Sequence, residues 1–168
     1  MTAYLYQAPS GVVGDISRPD NSKAEPIFLI TPFPAGYGVA MKYATGGATP
    51  FVAADTAAVV AGLLTRHAPG ISQSSTSEAL DTFQPNQQEV QNLLINGYAM
   101  VKLNGGSTPV RGQTVGIVQT ASGGHPAGSF EVATTGNNIP LSATLVGNWT
   151  WASDGVDAEG HAEIRISH

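Results

Sequence analysis

The chain contains no cysteine. Disulfides, thiolate nucleophiles and cysteine-based zinc or iron–sulfur sites are therefore excluded. Charge is scarce as well. Lysine and arginine number 7 and aspartate and glutamate 12 in 168 residues, so charged residues make up 11% of the chain, against about 25% in an average domain. Seven cations in a chain of net charge −5 give no basic footprint for nucleic acid or an anionic membrane. No apolar run approaches the roughly 18 residues of a membrane-spanning helix. The opening residues, Met1-Thr2-Ala3-Tyr4-Leu5-Tyr6, lack the basic start and apolar stretch of a secretory leader. Synthesis in a cytoplasm is expected. Gly-x-Ser-x-Gly, Walker, dinucleotide and His-Glu-x-x-His patterns are all missing. No cofactor is expected and no enzymatic role is read.

In place of charge there are 20 glycines, 11 prolines and many serines and threonines. Small, turn-forming and β-tolerant residues stand where helical surfaces would carry lysine and glutamate. This predicts an all-β fold, a small antiparallel β-barrel or jelly-roll-like sandwich. At 17.3 kDa the chain is long enough to bury a real core.

Residues 1–35 read as an extended Pro/Gly-rich N-terminal arm. Pro9, Gly11, Gly14, Pro19, Pro26, Pro32 and Pro34 recur too often for a helix or a central strand. Ile27-Phe28-Leu29-Ile30 is a short apolar run inside it, suited to an edge strand or to a segment pinned on another surface. Tyr4, Leu5, Tyr6, Phe33 and Tyr37 add aromatic and apolar area that such a stretch cannot bury alone. These nine positions are the candidate partner-binding residues.

Residues 36–168 read as the β-domain, with a long loop at 68–92. Gly46-Gly47 marks a turn. The run Ala57–Thr65 fits a buried strand better than a helix, because it is β-branched and contains Gly62. Glu89 to Leu94 is read as a helical turn. Gly97–Leu103 is a strand closed by the hairpin signal Asn104-Gly105-Gly106. Asn148-Trp149-Thr150-Trp151 places both tryptophans on one face, in the core or at an interface. Ala162-Glu163-Ile164-Arg165-Ile166 alternates apolar and polar.

Reactive side chains are few. His67, His125, His161 and His168 share no metal-ligand spacing and read as exposed loop and terminal residues. Asp154, Asp157 and Glu159 crowd one Gly-flanked loop, which reads as a hairpin with solvated acids; a bound cation there is left open.

Three segments, in this order and spacing, carry a resemblance: Asn96-Gly97-Tyr98-Ala99-Met100-Val101-Lys102-Leu103, Gly124-His125-Pro126-Ala127-Gly128-Ser129-Phe130-Glu131-Val132, and Ser153 through Ile166. Together with Asp55–Arg66, they resemble the capsid cement (decoration) proteins of tailed bacteriophages over roughly residues 50–168. The resemblance implies a virion protein on the outer capsid surface. It would bind the expanded head, clamp neighbouring subunits of the major capsid protein, and act as a homo-oligomer, a dimer before a trimer. Two alternatives belong to other classes. One is a carbohydrate-binding or tail/fibre-associated β-module with Trp149 and Trp151 as a stacking platform. The other is a small hydrolase built on Asp154, Asp157, His125 and His161.

Overall fold

Among the described residues, short β-branched and alternating runs separated by glycine and proline give ten strands. They are β1 (Lys23–Phe28), β2 (Ala40–Ala44), β3 (Gly47–Pro50), β4 (Val60–Thr65), β5 (Val90–Lys102), β6 (Val115–Ile117), β7 (Phe130–Val132), β8 (Ile139–Pro140), β9 (Asn148–Trp151) and β10 (His161–Ser167). The computed structural model describes residues 12–66, 85, 89–105, 107–120, 127–134 and 138–167. Among them, single 3-10 turns at Pro19–Asn21 and Ala57–Val59 are the only helical structure. The fold is the expected all-β sandwich of antiparallel sheets.

The larger sheet runs β3-β2-β4-β5-β10-β9, with β1 also paired to β5. β5 is the spine. Its first half pairs with β1 (Phe28 opposite Val90, Lys23 opposite Asn96) and with β4 (Leu63 opposite Leu94). Its second half pairs with β10, from Ile166 opposite Gly97 to His161 opposite Lys102. The end of β1 then reaches β3: Leu29 bridges Ala48, and the Ile30 N–H donates to the Ala48 carbonyl. The sheet thus curls back on itself. A second sheet, β7-β6-β8, is tied to the first at both sides. Thr114 bridges Thr150, Leu103 bridges Phe130, and the Trp149 and Trp151 N–H groups donate to Leu141 and Gln113. The outer strands β3, β9 and β7 are each bridged by a neighbouring segment, which limits strand addition there.

The core lies between the sheets. All six residues of β4 are buried. Trp149 and Trp151 are 0% and 1% exposed, and Trp149 stacks on Phe130 at 5.9 Å between ring centroids. Neither indole N–H has a hydrogen-bond partner among the described residues. An unsatisfied donor costs roughly 1–3 kcal/mol. Burying ~150–250 Å² of aromatic surface at about 25 cal/mol per Å² contributes about 4–6 kcal/mol. Burial wins, so both tryptophans stay inside and not at an interface.

Three sequence expectations change. Residues Glu89 to Leu94 form no helical turn; from Val90 they are strand, half of it buried between sheets. The Asn104-Gly105 turn does not fold β6 back on β5. The chain crosses to the other sheet, and β5 takes β10 instead. His161 is buried, at 4% exposure, at the start of β10. The described part of the N-terminal segment lies against the sheet. Ile16 bridges Ala99, Gly14 and Ser17 donate to Met100 and Tyr98, and β1 follows on the same strand.

Candidate interaction surface

Strand alternation sorts the N-terminal candidates into two sets. Ile27 and Leu29 point into the chain's own core. Phe28, between them, must point outward, and it is 58% exposed. Directly across the β1–β5 pair stands Val90, 40% exposed. Pro26, opposite Asn92, is exposed beside them. Past the strand, Ile30 is half-buried, and Pro32 and Phe33 are exposed. The outward residues Pro26 and Phe28, with Val90 across the pair, therefore form an apolar ridge on the β1–β5 face, and Pro32 and Phe33 lie exposed further along the chain. Val90 was not among the candidates, because it fell within residues read as loop and helix; only its register opposite Phe28 brings it in.

Tyr37 does not join this ridge. It is half-buried, and its hydroxyl donates to Gln91 Oε1 at 3.2 Å. Burial pushes its phenol above the ordinary value. Tyr43, at the open end of β2, is exposed and donates to Glu25 at 2.9 Å. Partial burial, then the bond to Glu25, raise its phenol too. Tyr4, Leu5 and Tyr6 lie outside the described residues.

A second, polar face is built by the outward residues of β10 and the second half of β5. Glu163 is fully engaged there. Its Oε1 accepts from the Ser17 hydroxyl at 2.6 Å and Arg18 Nε at 3.1 Å, and its Oε2 accepts from Arg18 Nη2 at 2.6 Å. The Arg18 guanidinium lies 4.1 Å from the Tyr98 ring centroid. The hydrogen bond that Arg18 donates to Glu163 holds the Arg18 charge above its ordinary pKa. This tie pins the N-terminal segment across β5 and β10.

The acidic loop between β9 and β10 is occupied by its own backbone. Asp157 Oδ1 accepts from the His161 and Glu159 N–H groups at 2.7 and 3.0 Å, and Asp157 Oδ2 lies 3.5 Å from His161 Nδ1. Asp154 accepts from the Arg111 N–H at 2.8 Å. These are turn-bracing roles. Among the described residues no three His, Asp or Glu side chains come together as a metal site. His67, His125 and His168 lie outside the described residues; of the hydrolase set, Asp154, Asp157 and His161 are described, and Asp154 and Asp157 brace turns. The buried Trp149 and Trp151 offer no platform for a sugar. An open groove lined by Gln113, Thr114, Thr134 and Asn138 is neutral, and the Asn138 amide is already bonded to Val132 and Glu131. No helix among the described residues is long and apolar enough to cross a membrane.

Residues 1–166 match the sequence model of the family described as XM1 gp53 minor capsid protein. A chain from the solved structure "The capsid of Myoviridae Phage XM1" superposes with a TM-score of 0.64. The match covers 98% of this chain and 95% of that one at 15% identity, a likeness of fold. A search of curated proteins finds no match.

Proposed function

Because the chain belongs to the XM1 gp53 minor capsid protein family, and so is a structural, capsid-associated component of a phage virion, we propose that it cements the head. In this reading it binds the outer surface of the expanded shell and bridges neighbouring major capsid protein subunits. It does so without catalysis and as a closed homo-oligomer, a dimer before a trimer. The observation that supports the contact is the Phe28–Val90 pair, two apolar side chains exposed opposite each other across the β1–β5 pair. Covering one such side chain contributes about 1.5–3 kcal/mol per copy before ordering costs. Many copies on one shell convert that modest figure into lasting attachment. A rigid, internally bonded surface loses little freedom on docking. Residues Tyr4, Leu5 and Tyr6 extend the same apolar chemistry toward a neighbour.

The test is co-sedimentation of the purified protein with the parent phage's heads, before and after expansion, quantified per major capsid subunit. Saturable binding to expanded heads alone, at a fixed ratio, is the expected result. Absence of binding to either form overturns the reading.

A further inference from the structure

The few cations of this acidic chain are unevenly placed. Of its seven lysines and arginines, Lys42 is paired with Asp55 at 2.6 Å and Arg66 lies 4.0 Å from Asp15. Four others border one face: Arg165 opposite Tyr98, Lys102 opposite His161, Lys23 opposite Asn96, and Arg18 stacked on Tyr98. Glu163, the carboxylate that β10 contributes to this face, has both oxygens taken by Ser17 and Arg18. Arg165 stands two residues further along the same side of β10, exposed, with its guanidinium carbon 5.9 Å from the Tyr98 centroid. Among the described residues it makes no ion pair. A guanidinium held against an aromatic ring keeps its in-plane N–H groups available, and their fork matches a carboxylate.

We propose that Arg165, steadied by Tyr98 and walled by the Arg18–Glu163 pair, is a carboxylate-binding site, and that its occupant is an acidic segment of a neighbouring capsid protein. This rests on the head-binding reading for the identity of the neighbour, though not for the chemistry of the site. Charge complementarity selects the occupant. One forked cation beside an already neutralised one suits a single carboxylate-bearing segment. A nucleic acid strand needs a track of several cations matched to successive phosphates.

Two arms test it. In the first, an oligoglutamate peptide is titrated into the full-length protein and followed by NMR. Shift changes centred on the Arg165 side chain and Tyr98, and lost in Arg165→Gln, are expected. Absence of localised changes, or larger changes with an oligonucleotide of equal charge, overturns the proposal. In the second, binding to expanded heads is compared from about 0.1 to about 1 M salt, across which the Debye length shortens from about 10 to about 3 Å. Arg165→Gln is expected to weaken low-salt binding roughly tenfold and flatten its salt dependence, with Arg165→Lys restoring only part, because a lysine lacks the fork. A variant that binds and responds to salt as wild type does overturns the proposal. Peptide binding without head binding keeps the site and rejects the head reading, so the two failures are distinguishable. Thermal melts of each variant check that the fold is unchanged.

Discussion

Gly62 shows how tightly single positions are constrained. It sits in fully buried β4, and an added Cβ would lie 2.6 Å from the Leu94 carbonyl oxygen and 2.8 Å from Leu93 Cγ. Backbone on one side cannot yield, so Gly62→Ala should cost about 1–3 kcal/mol through overpacking. A urea unfolding series would show it as a lowered midpoint with an unchanged slope. Gly97 is constrained for another reason. Its φ of +130° and the close approach of Ser22 exclude any side chain. The tryptophans give an opposite contrast. Since the Trp151 indole N–H has no partner among the described residues, Trp151→Phe loses volume but no hydrogen bond and should cost less than Trp151→Ala. The latter is expected to cost about 3–5 kcal/mol. A Trp151→Phe loss in thermal melts as large as that of Trp151→Ala would contradict this. At alkaline pH the tyrosines act. Tyr37 and Tyr43 hold their protons more tightly folded than unfolded. Their contribution is fully present below the unfolded value near 10 and is lost as pH rises through the raised folded values. Melting temperature should therefore fall above about pH 10, and less steeply in Tyr43→Phe.

Among elements, β1 carries two roles at once. Its inward residues Ile27 and Leu29 complete the core, and its outward Phe28 forms the ridge. Removing residues 1–30 takes away two buried side chains worth about 3–6 kcal/mol together. A typical domain has only about 5–15 kcal/mol in total. That truncation should lose its cooperative melt by circular dichroism, whereas removal of 1–11 should keep it. Much of this was legible in the sequence. The apolar run Ile27-Phe28-Leu29-Ile30 suited an edge strand, and it, the alternation in β10, the paired tryptophans and the β-branched β4 run all fall in or beside strands. The first half of β5 was hidden, because Glu89-Val90-Gln91-Asn92 has the polar content of a turn. Those polar groups are strand residues with long-range partners; Gln91, for example, is buried and accepts from Tyr37. Such partners, more than fifty positions away in the chain, leave no local signal. The ridge was half legible for the same reason: Phe28 is visible in the apolar run, but Val90 joins it only through strand register. His161 was misjudged because its burial is set by the Asp157 turn and not by its neighbours in sequence.

On the scale of the whole molecule, function is a matter of faces. The interior takes the tryptophans, and the loop between β9 and β10 uses Asp154 and Asp157 to brace backbone. Among the described residues, the outward side chains include the apolar Phe28, Val90 and Phe33 and the unpaired Arg165. These are the two surfaces proposed to meet a shell. The central claim is that the ridge is the shell contact. The most direct measurement is occupancy of expanded heads by wild-type protein against a Phe28→Asp/Val90→Asp double variant. Two aspartates directly opposite each other repel, so the variant's melt should fall modestly but stay cooperative, and binding is compared well below it. Saturable occupancy by wild type and a loss of roughly a hundredfold or more in the affinity of the variant are predicted, from about 1.5–3 kcal/mol of apolar burial lost at each position. Equal occupancy by the two proteins, with both folded, would contradict the account.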